Sequence, residues 1–262
     1  MAENWNSYFC RVNDKLASIR VDLGLRSGVP DALRPWLLWV WVYFKRARPD
    51  GLSSQEEFAA LSALEDALTA ALGAKCQGVL CGCITNDGRR EFYFYGATPE
   101  RFDEMVAQVM RQRGYRFDCD KQEDRGWTQY LNVLYPSEEQ RQLIENRRLM
   151  DFMAEKGDTL EGAREVDHWA RFKNQKDRVA FREAAVSLGY QVRSEYEEAE
   201  TECPCWIQVF REQQMDRNAI DEAVLRLFRA SKSVQGEYDG WECQLMADTK
   251  PAVEPKPRWK FW

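Results

Sequence analysis

The chain has 262 residues, 44% of them hydrophobic and 13% aromatic, with ten tryptophans and a formal net charge of −6. This length accommodates two compact domains, and no apolar run approaches the roughly 20 residues that a membrane-spanning helix needs. The opening MAENWNSYFC lacks the basic-then-apolar layout of a signal peptide, so a cytoplasmic protein is expected.

Taken in chain order, the first pattern is a pair of strands within Trp5–Leu25, joined by a polar turn at Asn13-Asp14. Residues 36–44 run WLLWVWVYF, β-branched and aromatic throughout, which predicts a buried strand. Ser53 and Ser54 ahead of Glu56 and Glu57 form a helix start. Phe58, Leu61, Leu64, Leu68 and Leu72 follow at helical spacing, with Gly73 placed to close the helix. KCQGVLCGCIT reads as a strand, Asn86-Asp87-Gly88-Arg89 as a hairpin turn and EFYFYG as the return strand. Thr98-Pro99-Glu100 caps a second helix whose inner face carries Phe102, Met105, Val106, Val109 and Met110. After Gly114, YRFDCDKQ extends and is expected to pair with a strand WTQYLNVLY at 127–135.

The second half repeats the order. A helix over Glu138–Lys156 is expected to turn Leu143, Leu149, Phe152 and Met153 inward, followed by a strand over Arg164–Phe172 and a helix near 175–188. Strands opening at Gly189-Tyr190 and at Trp206 come next. A helix over about 216–230 bears Ile220, Val224, Leu227 and Phe228, and GEYDGWECQL (236–245) is the closing strand. Asp239-Gly240 interrupts that strand with turn residues, which predicts a bulge that re-aims Trp241.

The expected class is α+β, with two ferredoxin-like (β-α-β-β-α-β) domains of antiparallel sheets. Their spans are 1–136 and 137–249, followed by a basic aromatic tail at 250–262. In such a domain both helices cover one sheet face. Residues 36–44 are apolar on both faces, so a second cover is needed. Packing of the two sheets on each other, or a homodimer, would provide it.

Chemistry is scarce. One histidine, His168, excludes sites built on two or more imidazoles, and no GxxxxGK(S/T), GxGxxG or GxSxG motif is present. The eight cysteines read as reduced thiols. Cys81/Cys83 and Cys203/Cys205 place two sulfurs on one face if extended, but their spacing is not that of a structural zinc site. No catalytic, cofactor or metal residue is assigned. Charge is uneven. Residues 137–249 hold 24 acidic and 16 basic side chains, a difference of −8, whereas the last thirteen hold four basic and one acidic. Direct nucleic-acid binding calls for the opposite sign.

Three elements of the second half carry a resemblance: Gly157-Asp158-x-Leu160, His168-Trp169-x-x-Phe172 and Tyr238-Asp239-Gly240-Trp241. Over roughly 147–245 the chain resembles the regulator of ribonuclease E activity B family. The first half, with Trp36–Phe44, Gly51-Leu52, Leu64-Glu65-Asp66 and Arg90–Tyr95, resembles a domain of uncharacterised function often found ahead of it. The resemblance implies a compact non-catalytic module that binds the endoribonuclease and restrains RNA turnover. The acidic composition suits a basic protein segment, such as the arginine-rich scaffold region of that enzyme. Candidate partner-binding residues are Glu195, Glu197, Glu198, Glu200 and Glu202 in SEYEEAETEC, read as the loop between the middle strands. His168, Trp169, Asp239, Gly240 and Trp241 join them. A core histidine and a buried tryptophan seated by the bulge are the structural alternatives. Two other functions compete: an RNA-binding module stacking bases on Phe92-Tyr93-Phe94-Tyr95, and an enzyme using paired carboxylates in a cleft.

Overall fold

The computed structural model describes residues 3–111, 113–199 and 201–246; Glu200 and the tail at 250–262 lie outside them. The chain divides into two compact units, Met1–Ser137 and Glu138–Trp262.

In the first unit, β1 (Trp5–Val12) and β2 (Lys15–Asp22) form a hairpin whose Asn13 and Asp14 both take positive φ. Then come β3 (Trp36–Tyr43), α1 (Gln55–Cys76), β4 (Val79–Asn86), β5 (Arg89–Gly96), α2 (Phe102–Met110) and β6 (Arg116–Glu123). The six strands lie in the order β1-β2-β4-β5-β3-β6, all neighbours antiparallel. β3 to β6 thus follow the expected β-α-β-β-α-β order, and β1–β2 widens the sheet.

Ser54 caps α1, its hydroxyl accepting from the Glu57 N–H at 3.3 Å. The helix runs through Gly73 to Cys76 and ends where Gln77 turns left-handed at φ 52°. Leu61, Leu64, Leu68 and Leu72 are fully buried, but Phe58 is 55% exposed. The core-facing position one turn before Leu61 is Glu57, whose carboxylate accepts from the Lys45 N–H. With Leu38, Val40, Val42, Phe92, Phe94, Phe102 and Val106, the α1 leucines form the core under the helices.

The other face of this sheet is covered by its own chain. The expected strand at 127–135 is instead a helical turn, with a π-helical stretch at Tyr130–Leu134. Trp127 lies flat on Tyr95, ring centroids 3.9 Å apart and planes 6° from parallel. The Tyr130 hydroxyl donates to the Asp22 carbonyl at 2.8 Å, and the Tyr8 hydroxyl to the Leu134 carbonyl at 3.0 Å. Asp124 accepts from the Tyr95 hydroxyl, the Thr128 hydroxyl and the Gln129 N–H, which fixes the start of the turn. The cover expected from another domain or a second chain therefore comes here from residues 124–135. Further along β3, Arg89 stacks over Trp41 and Arg116 over Tyr43.

In the second unit, α3 (Glu138–Glu155) precedes β7 (Ala163–Phe172), α4 (Gln175–Ser187), β8 (Gln191–Glu197), β9 (Cys205–Gln214), α5 (Arg217–Ser233) and β10 (Glu237–Cys243). The sheet order is β10-β7-β9-β8, again antiparallel throughout. Asn174 and Asp216 cap α4 and α5 through their side chains. α3 packs through Ile144, Asn146, Met150 and Met153. Of the expected inner residues, Met153 is buried and Leu149 packs against the core, whereas Phe152 is half exposed and Ile144, Asn146 and Met150 take the remaining inward positions. Val166, Ala170, Phe172, Ile207, Val209, Val224 and Leu227 lie in the core.

The loop before β7 is locked by charge. Asp158 receives a two-pronged bond from Arg164 (2.6 and 2.9 Å) and accepts from the N–H groups of Leu160 and Met246. Arg164 also donates to the Gln244 carbonyl, so this pair ties the Gly157-Asp158-x-Leu160 loop to the end of β10. The Asp158 and Arg164 side chains are 0% and 3% exposed.

Among the described residues no helix is long and apolar enough to cross a membrane. Among the same described residues, no group of three or more His, Cys, Asp or Glu is placed to hold a metal ion. Cys81 and Cys83 do not share a face as expected. A bulge between Leu80 and Gly82 returns Leu80 and Cys83 to the helix-side core and leaves Cys81 outside it.

Candidate protein-docking face

Strand alternation sorts the second unit's sheet into two faces. On β7, Arg164, Val166, His168, Ala170 and Phe172 are buried towards the helices, while Glu165, Asp167, Trp169 and Arg171 point the other way. Among the described residues of this unit, no helix lies over that second face. Cross-strand pairing places Glu212, Phe210, Gln208 and Trp206 of β9 opposite these four, and Ser194 and Tyr196 of β8 beyond. Glu237, Gly240 and Glu242 of β10 line the other side, with Asp239 in the bulge.

The face is aromatic and acidic. Tyr196 and Trp206 stack with planes 4° apart. Six carboxylates (Glu165, Asp167, Glu212, Glu237, Asp239, Glu242) stand against two guanidiniums, a difference of −4. Both guanidiniums are already held in one manner, over an aromatic ring and beside carboxylates. Arg193 lies 4.0 Å over Phe210 and bonds Asp167 at 2.6 Å, with Glu165 also in contact. Arg171 lies 5.5 Å over Trp206 and bonds Glu237 at 2.8 Å.

The bulge does two things. The register shift between Tyr238 and Gly240 lets Tyr238 and Trp241 both face the core. Trp241 is 9% exposed, and its indole N–H donates to Asn146 of α3 at 2.9 Å. Gly240, opposite Trp169, has φ +116°, a conformation that side-chain-bearing residues resist, and a Cβ placed there would meet nothing within 4 Å. The outer surface beside Trp169 is therefore open.

His168 is a core residue, 1% exposed, with Nδ1 2.8 Å from the Tyr238 hydroxyl. Burial, aided by nearby Arg211, pushes its pKa down to about 3. A depressed histidine pKa means that the unfolded chain binds the extra proton. The stabilisation is complete above about pH 6.5 and is lost as pH falls towards 3, at ~1.4 kcal/mol per pH unit. Denaturant unfolding of the second unit at pH 7 and pH 5 is expected to differ by about 2 kcal/mol. In His168→Gln that difference should largely vanish, because the chain has no other histidine.

The acidic stretch is placed differently from expectation. β8 continues through Glu197, so Glu195 and Glu197 belong to a strand, and both face α4. Glu195 pairs with Arg182 at 3.2 Å and Arg178 at 3.7 Å, and Glu197 accepts from Gln175. Glu202 pairs with Lys173, and Glu198 is exposed at the β8 end. The structure brings Trp169, Asp239 and Gly240 together and keeps His168 and Trp241 inside. Sequence reading missed Glu165, Asp167, Trp206, Phe210, Glu237 and Glu242. For Glu165, Asp167, Trp206 and Phe210 the signal was the i, i+2 alternation of β7 and β9, which assigns each residue to a face once one is known to be core.

Elsewhere, the β1–β2 hairpin extends beyond α1 and leaves a cleft of about 740 Å³ beside that helix. Three of its carboxylates are engaged locally. Glu65 bonds Arg20 at 2.5 Å, Asp22 accepts from two N–H groups, and Glu3 accepts from the Trp5 indole.

Comparison with known proteins bears on both units. No curated protein is matched. A chain from the "Crystal Structure of an Unknown Protein from Galdieria sulphuraria" is 8% identical, covering 79% of this chain and 96% of its own, with a TM-score of 0.21, too low to carry any argument. Residues 143–243 match the model described as Regulator of ribonuclease activity B. Residues 3–135, half of the chain, match that of a family of unknown function, so the chain belongs to DUF695 and joins to it a second unit resembling the Regulator of ribonuclease activity B.

Proposed function

We propose that the chain is a non-catalytic regulator of RNA turnover. In this reading its second unit, a ferredoxin-like module, binds a basic segment of a ribonuclease E-type endoribonuclease on its open sheet face. The observation that carries the reading is that uncovered face, with six carboxylates against two guanidiniums, in a region matched by a ribonuclease-regulator family. Opposite charge steers encounter and fixes register. Glu198 and Glu202 extend the negative field around the β8–β9 connection.

Direct RNA binding is the weaker reading. Phe92, Tyr93, Phe94 and Tyr95 are all at most 7% exposed, so they offer no surface for base stacking. The aromatic face of the second unit carries the wrong charge for phosphates.

The test adds the full chain to such an endoribonuclease with a single-stranded RNA substrate. Slower cleavage, relieved by raising salt, is the expected result. Unchanged cleavage with no complex at low salt overturns the proposal.

A further inference from the structure

We infer that the outer surface around Trp169 and Gly240 is an arginine-reading notch, whose occupant is an extended arginine-bearing segment of a protein partner. The inference rests on the docking face proposed above and names what that face selects. The same sheet already holds two guanidiniums intramolecularly, each over an aromatic ring with carboxylates at its edge: Arg193 on Phe210 with Asp167, and Arg171 on Trp206 with Glu237. Trp169 sits between these sites on β7 and repeats their elements, and among the described residues no guanidinium stacks on it. Its neighbour across the strand pair is Gly240, above which a Cβ would meet nothing within 4 Å. Asp239 and Glu242, both exposed, flank that glycine. Among the described residues Asp239 pairs with Arg171 at 3.9 Å. A planar guanidinium matches this set better than an ammonium, because it stacks on the indole while its N–H fork meets carboxylates.

An extended segment suits this sheet face, because alternate side chains of a strand lie on one side of it: an arginine can meet Trp169 while its chain neighbours point away.

The experiment measures binding of a synthetic peptide with alternating arginines in a Gly/Ser background, and of its all-lysine counterpart, to the full chain. Titration is followed by tryptophan fluorescence at low salt. The arginine peptide is expected to bind about tenfold more tightly than the lysine one. Asp239→Asn with Glu242→Gln, both exposed and away from the core, should weaken it about tenfold, and Trp169→Ala should remove most of the preference for arginine. Equal binding of the two peptides, unaffected by the carboxylate changes, overturns the notch. Binding seen only after removal of residues 247–262 would assign the site to the chain's own tail and overturns it also. The same variants separate this inference from the proposed function. Normal capture of the endoribonuclease by Asp239→Asn/Glu242→Gln defeats the notch alone, whereas arginine-selective binding with no endoribonuclease complex defeats the functional reading alone.

Discussion

Asp158→Ala is expected to destabilise the second unit by about 3–5 kcal/mol, the range for breaking a buried ion pair by removing one partner. The loss is large because the carboxylate serves four donors: two from Arg164 and the N–H groups of Leu160 and Met246. Its removal leaves the Arg164 guanidinium buried without its counter-ion. Native-state hydrogen exchange should show the amides of β7 and β10 losing protection while those of β4 and β5 keep theirs. The double change Asp158→Leu with Arg164→Met should recover part of the loss, because an apolar pair leaves no uncompensated charge. Hydrogen bonds from Arg164 hold the Asp158 pKa well below the usual carboxylate range, against the opposing effect of burial. A depressed carboxylate pKa stabilises above the unfolded value, near 4, and that contribution fades as pH falls below it. Acid should therefore weaken this unit in two windows, His168 from about pH 6.5 downwards and Asp158 below about pH 4.

Trp127→Ala is expected to destabilise the first unit by about 3–5 kcal/mol, as for other buried tryptophans truncated to alanine. Trp127 is 1% exposed and stacks on Tyr95. Its indole N–H donates to the Arg34 carbonyl at 3.1 Å and the Asp31 carbonyl at 3.3 Å. Truncation would open the cover that residues 124–135 give the sheet, and Tyr95 would lose its ring partner. Trp127→Phe should cost less, about 1–2 kcal/mol, since it keeps a ring over Tyr95 and drops the indole bonds. Denaturant unfolding that reports on each unit separately checks both, with the second unit unchanged. An equal loss for Phe and Ala would show that the indole N–H, and not the stacked ring, holds the cover.

The α+β class and most elements were legible in the sequence because their signals are local. Asn13-Asp14 and Asp87-Gly88 specify hairpin turns through residues that tolerate positive φ, and each does so here. The α1 leucines gave that helix its core face. The sequence misled where long-range packing decides. WTQYLNVLY alternates well enough for a strand, yet Asp124 fixes a helical start through the Thr128 hydroxyl and the Gln129 N–H, and the segment coils across the ring of Tyr95 instead of pairing with the edge strand β6. Phe58 reads as core, but the rotation of α1 set by Leu61, Leu64 and Leu68 gives that slot to Glu57.

The docking face was half legible. Trp169, Asp239 and Gly240 stood out because a glycine bulge and a tryptophan are rare signals. The dense glutamates of SEYEEAETEC drew attention by composition, but Glu195 and Glu197 point at arginines that α4 brings from about fifteen residues earlier in the chain. Sequence proximity of like charges does not reveal such partners. Nor could it reveal that Glu165, Asp167, Glu237 and Glu242 share one surface, since they come from opposite ends of the unit and meet only through the β10–β7 pairing.

The most direct measurement is hydrogen exchange of the full chain with and without the endoribonuclease, resolved to single strands. Slowed exchange in residues 165–171 and 237–242, with 124–135 unaltered, is the predicted footprint. Slowing restricted to the first unit, or to the β8–β9 connection at 198–204, would contradict the open sheet of the second unit as the docking surface.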